Sequence, residues 1–109
     1  MTATAPWSII VIPAGQSFNV SAAGNSQLTA TPLTGGVNEV SYSPVGGGVI
    51  LPASANQEVI IYSTASVDVL VYPPFGAALQ GLSANAPVTL APGTRATFAC
   101  KSPTLWLYG

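Results

Sequence analysis

Five side chains carry charge in this 109-residue chain: Glu39, Glu58, Asp68, Arg95 and Lys101. There is no histidine and a single cysteine, Cys100. Any chemistry would have to be built from these few groups. A serine or cysteine nucleophile needs a base within hydrogen-bond reach, and the chain has no imidazole to supply one. A zinc site needs several Cys, His or carboxylate ligands together. Paired carboxylates are the remaining route. Glu58 and Asp68 flank the apolar stretch 57–76, QEVIIYSTASVDVLVYPPFG. If Ser63 to Ser66 form the turn of a hairpin, Tyr62 pairs with Val67 and Glu58 lies across from Val71. Side-chain alternation then sends Glu58 and Asp68 to opposite faces, so they read as two solvated carboxylates and not as an acid/base pair. Phosphate binding lacks its parts too. Arg95 and Lys101 are the only cations, and Gly46-Gly47-Gly48 has neither the spacing nor the lysine of a phosphate loop. That triplet reads as a flexible edge or as a place where another backbone comes close. The expectation is no enzyme, no metal, no cofactor and no nucleic-acid partner.

The aromatic residues offer more. Trp7, Tyr42, Tyr62, Tyr72, Phe75, Trp106 and Tyr108 could be core, sugar-stacking platforms or interface anchors. Trp7 and Trp106 lie near opposite chain ends, so the terminal strands could be neighbours with these rings on a shared edge. Phe75 stands between Pro74 and Gly76 and is the best candidate for an exposed anchor, because a ring held by prolines loses little entropy when it docks. The alternative for Phe75 is a plug over one end of the fold.

The elements that would position these residues are strands. The stretch 57–76 holds two runs rich in β-branched residues, Val59 to Tyr62 and Val67 to Val71, apolar on both faces. It reads as a central hairpin, stopped by Tyr72-Pro73-Pro74-Phe75-Gly76 because proline has no N–H for a ladder. Before it come expected strands at Trp7–Ile12, Gln16–Ser21 (Phe18 and Val20 on one face), Gln27–Thr31, Val37–Tyr42 and Val49–Leu51. After it come an extended connection or short strand at Ala77–Ala86, then Pro87–Ala91, Thr94–Cys100 and Thr104–Tyr108. In Thr94–Cys100, Ala96, Phe98 and Cys100 share one face. Gly and Pro punctuate the chain, and no window carries a helical period.

Many short strands with frequent turns predict an all-β fold: a single-domain antiparallel β-sandwich or jelly-roll-like barrel over residues 1–109, with 1–6 as an extended N-terminal arm. A loose echo at Ile12-Pro13-Ala14, Leu51-Pro52-Ala53 and Ala91-Pro92-Gly93, about forty residues apart, raises a β-trefoil as the alternative. Charged residues are 5% of the chain and the formal net charge is −1, where soluble domains carry roughly 25% charged residues. Such a surface must be made of Ser, Thr, Asn, Gln and Gly, or be covered by partners. Cys100 permits no intrachain disulfide and reads as a small buried residue. The N-terminus lacks the basic and apolar regions of a secretory signal, and no apolar run approaches a membrane helix.

Residues 59–109 carry a resemblance. Leu70-Val71-Tyr72-Pro73-Pro74-Phe75-Gly76, Leu79-Gln80-Gly81-Leu82-Ser83-Ala84-Asn85, Leu90-Ala91-Pro92-Gly93-Thr94-Arg95-Ala96-Thr97-Phe98 and Ser102-Pro103-Thr104-Leu105-Trp106 together resemble small virion proteins of tailed bacteriophages. Among these, the capsid decoration (cementing) type fits best in size and neutrality. The resemblance implies a structural protein, commonly a β-sandwich, made in the host cytoplasm and placed on the capsid surface of the virion. Its partners would be the major capsid protein and further copies of itself. It fixes no active site. The interface candidates are Tyr72, Pro73, Pro74, Phe75, Trp7 and Trp106. The alternative function is a receptor- or carbohydrate-binding module of a phage fibre, tail or neck, which would need two or three aromatics exposed together beside Asn, Gln or Asp.

Overall fold

The computed structural model describes residues 17–33, 36–53 and 58–109. Within them the chain forms ten strands and no helix: β1 Ser17–Ser21, β2 Thr31–Pro32, β3 Gly36–Tyr42, β4 Gly48–Ile50, β5 Glu58–Ser63, β6 Val69–Tyr72, β7 Ala78–Leu79, β8 Val88–Leu90, β9 Arg95–Ser102 and β10 Leu105–Tyr108. The fold is therefore all-β, as the strand spacing predicts. Two mixed sheets hold the strands. One has six, in the order β1-β3-β5-β9-β10-β7, and the other has four, in the order β2-β4-β6-β8.

From β1 to β6 each strand lies in the other sheet from its predecessor. Every second strand therefore returns to the same sheet in the same direction. β1, β3 and β5 are mutually parallel neighbours, and so are β2, β4 and β6. The registers stack in columns: Ser17 beside Asn38 beside Ile61 in one sheet, and Thr31 beside Val49 beside Val71 in the other. The chain then reverses. β8 pairs antiparallel with β6, and β9 pairs antiparallel with β5. β10 folds back on β9, and β7 adds in parallel beyond β10.

One apolar cluster draws on both sheets. Val40, Val59, Ile61, Phe98, Leu79 and Trp106 come from the six-stranded sheet, and Val49, Val69, Val71 and Leu90 from the four-stranded one. Alternation decides membership. In β5, Val59, Ile61 and Ser63 are buried while Glu58 and Tyr62 are exposed. In β9, Phe98 is fully buried, and Ala96 and Cys100 pack against the cluster on the same face. The Phe98 and Tyr108 rings stack across the β9–β10 pair, 5.8 Å between centroids.

Several sequence expectations are corrected here. The stretch 58–72 is not a hairpin. β5 and β6 belong to different sheets, and residues 64–68 carry the chain from one to the other. A run apolar on both faces served both readings equally. The sheets are mixed and not antiparallel, because strands that change sheet at every step meet in-sheet neighbours running their own way. The structural repeat is about twenty residues and not forty, and it is a stack of parallel strands and not a trefoil of hairpins. The expected strand at Gln27–Thr31 is mostly a turn: Ser26 O accepts from the Thr29 N–H at 3.2 Å, and only Thr31–Pro32 extends. Phe18 does not share a buried face with Val20; Asn19 has φ 56° and breaks the alternation, leaving Phe18 exposed. Cys100 is half-buried, with its Sγ 3.1 Å from the Ser102 carbonyl. The last strand, β10, is internal, lying between β9 and β7. The expected first strand, Trp7–Ile12, and the arm 1–6 lie outside the described residues.

Candidate interaction surface at the Phe75 corner

β6 ends in the sequence Tyr72-Pro73-Pro74-Phe75-Gly76. Val69 and Val71 face the core and Tyr72 is buried. Pro73 and Pro74 are buried too, and their missing N–H groups end the ladder. A tight turn follows, in which the Ala77 N–H donates to the Pro74 carbonyl at 3.0 Å. Gly76 holds the third position with φ 86°, the left-handed conformation that a type II turn requires there. Phe75 holds the second position. With both prolines anchored in the interior, its ring is turned outward and stays 62% exposed.

Two amide side chains tie this corner to its neighbours. Asn85 Oδ1 accepts from the Gly76 N–H at 2.7 Å, and the Asn85 N–H donates to the Ala77 carbonyl at 2.8 Å. Gln27 Nε2 donates to the Pro73 carbonyl at 2.8 Å and to Asn85 Oδ1 at 3.1 Å. Three loops are thereby held together: the turn at 26–29, the corner itself and the loop at 81–86. Each carries an exposed apolar side chain, Leu28, Phe75 and Leu82 respectively. The assembly is neutral. It can present an aromatic ring on a backbone that has little entropy left to lose, which suits docking against another apolar surface.

Of the interface candidates among the described residues, Phe75 alone presents a ring to solvent. Tyr72, Pro73 and Pro74 are the buried scaffold that aims it. Trp106 is 1% exposed and packs in the core on β10, beside Leu79 in register. Trp7 lies outside the described residues. Gln27, Asn85, Leu28 and Leu82 were not expected at this surface. Asn85 had a local signal, since asparagine tolerates the positive φ of 65° that it adopts. Gln27 had none, because its partners stand 46 and 58 residues away.

The carboxylates do not converge. Glu58 projects from the six-stranded sheet and Asp68 precedes the four-stranded one, both exposed. Among the described residues no group of three or more His, Cys, Asp or Glu could hold a metal ion, and no helix is long and apolar enough to cross a membrane. The chain matches no family model, no curated protein and no solved structure.

Proposed function

We propose that this protein is a structural component of a tailed-phage virion that binds the outside of the assembled capsid and staples neighbouring major-capsid subunits. In this reading the two sheets are the layers of a sandwich, the chain is made in the host cytoplasm, and it has no catalytic role. The observation that carries the proposal is the Phe75 corner: an exposed ring on a proline-locked turn, braced by Gln27 and Asn85, in a chain with five charges. The rival sugar-binding reading needs two or three aromatics exposed together beside Asn, Gln or Asp. Of the three apolar side chains that these loops expose, Leu28, Phe75 and Leu82, Phe75 alone is aromatic, which favours an apolar docking surface.

With so little charge, affinity must come from apolar burial and hydrogen bonds, so binding should depend weakly on salt. The test mixes purified protein with undecorated capsids at low and high salt. Wild type is expected to bind at both. Phe75→Ala should keep its melting temperature, because the ring is exposed, and should lose about tenfold or more in affinity if Phe75 is a central anchor. Wild-type binding lost at moderate salt would defeat the neutral-contact mechanism. Absence of binding at any salt would overturn the capsid assignment, and a glycan array would then examine the rival.

A further inference from the structure

The outer face of the six-stranded sheet gathers four of the chain's five charges. Glu39 projects from β3, Glu58 from β5, and Arg95 and Lys101 from β9. The registers order them. Glu39 lies beside Tyr62, and Tyr62 lies beside Arg95, forming one row across three strands. The next row is Val37, Ile60 and Thr97. Val37, Ile60, Tyr62, Gly93 and Arg95 line a shallow depression of about 550 Å³. Tyr62 keeps 44% of its surface open above it. The face is neutral in sum, with acid on the β3 side, base on the β9 side, and an aromatic and an aliphatic residue on the strand between them.

We propose that this face docks a second copy of the same chain about a two-fold axis running along β5. Such an axis exchanges the β3 and β9 sides. Glu39 of each copy then meets Arg95 of the other, and Tyr62 meets Tyr62 between the two pairs, as an isologous contact requires. Glu39 keeps an oxygen for this contact, since its Oε2 accepts from the Thr64 hydroxyl at 3.3 Å. Glu58 lies near the axis and would face its own image. It pairs with Ala99 in register, which puts Lys101 at the diagonal position on β9, close enough to offset that repulsion. The proposal is independent of the capsid reading, because the Phe75 corner belongs to the end of β6 in the other sheet.

The experiment is sedimentation equilibrium on the full chain from about a micromolar to about a millimolar, the range suited to a small interface. Wild type is expected to be monomeric at the low end and dimeric at the high end, with the dimer weakened by added salt. Glu39→Arg and Arg95→Glu should each remain monomeric, since each places like charges opposite one another. In an equimolar mixture of the two variants every contact again joins an acid to a base. The new arginine of one variant meets the new glutamate of the other, and the unchanged Arg95 of the first meets the unchanged Glu39 of the second. The mixture should therefore dimerise. Both positions lie on the outer face of the sheet, and unchanged melting curves would verify that the variants fold. Wild type that is monomeric at a millimolar overturns the proposal. So does a dimer that survives in either single variant, or a mixture that stays monomeric. Capsid binding by the monomeric variants at low concentration reads the Phe75 surface separately, so failure of one reading is distinguishable from failure of the other.

Discussion

Val69 has no exposed surface and pairs with Leu90 across the β6–β8 ladder. A carboxylate there would be buried without a partner. The cost is several kcal/mol, against a total stability of about 5–15 kcal/mol for a domain. Val69→Asp is therefore expected to be largely unfolded at room temperature, and a thermal melt within a few degrees of wild type would contradict the placement. Gly48 is constrained by space and not by φ. A Cβ on it would stand 2.8 Å from the Leu70 carbonyl oxygen and 2.8 Å from a Tyr72 ring carbon, where β4 runs against β6. Gly48→Ala must push the two strands apart. We expect a loss of about 1–3 kcal/mol, read as a lower midpoint in denaturant with an unchanged slope. Gly46, two residues earlier, has φ 80° and open space around it, so its requirement is conformational.

At the scale of elements, the decisive feature is the step between sheets at residues 64–68. Hydrogen bonds fix it on both sides. Where it leaves β5, the Ser63 N–H donates to the Thr94 carbonyl and the Thr64 N–H to the Val40 carbonyl, each at 2.9 Å. Where it enters β6, the Leu70 N–H donates to the Gly47 carbonyl at 3.0 Å. Ser63, fully buried, turns its hydroxyl back to accept from the Ala65 N–H at 3.3 Å. This lets a polar residue occupy an interior position at the start of the step. The arrangement makes a direct expectation for solution NMR. Backbone contacts should join β5 to β9 around Ile60 and Thr97, and β6 to β8 around Leu70 and Thr89. None should join β5 to β6, since the two strands belong to different sheets. A ladder of Hα contacts between Tyr62 and Val67 would restore the hairpin.

For the whole molecule, the strand order decides which edges so neutral a chain has to protect. Strands β1 to β6 stack in order, and the antiparallel return through β8 and β9 covers the far edge of that stack. The outer strands of the four-stranded sheet, among the described residues, are β2, which contains Pro32, and β8, which follows Pro87. Proline there removes a donor that another chain could pair with. Circular dichroism of the whole chain should show less than about a tenth helix, where ordinary domains have about a third. Strong helical minima would contradict the fold.

Much of the local structure was legible in the residues themselves. Proline and glycine marked the ends of β3, β6 and β8, and β-branched runs marked β5 and β6. The alternation of Ala96, Phe98 and Cys100 against Arg95, Thr97 and Ala99 gave the inward face of β9 directly. These are short-range effects: a missing N–H, a permitted φ, a period of two. The proline-glycine corner left Phe75 two options, an exposed anchor or a plug over one end of the fold, and only the structure chose the first. The partners of the strands were not legible. Val59 to Tyr62 is compatible with β6 beside it in one sheet or across from it in another, because residues apolar on both faces do not say which neighbour covers which. Nor could local pattern reveal that Gln27 and Asn85 brace the corner, or that Glu39, Tyr62 and Arg95 form one row. Those contacts join residues dozens of positions apart, and they exist only once the chain has alternated between the sheets and brought its rungs into register. The sequence by itself determined where most of the strands run and which face of β9 points inward, since backbone sterics and side-chain polarity act within a few residues. Only the tertiary structure decided which strands meet, because that choice is made by closure of the whole core.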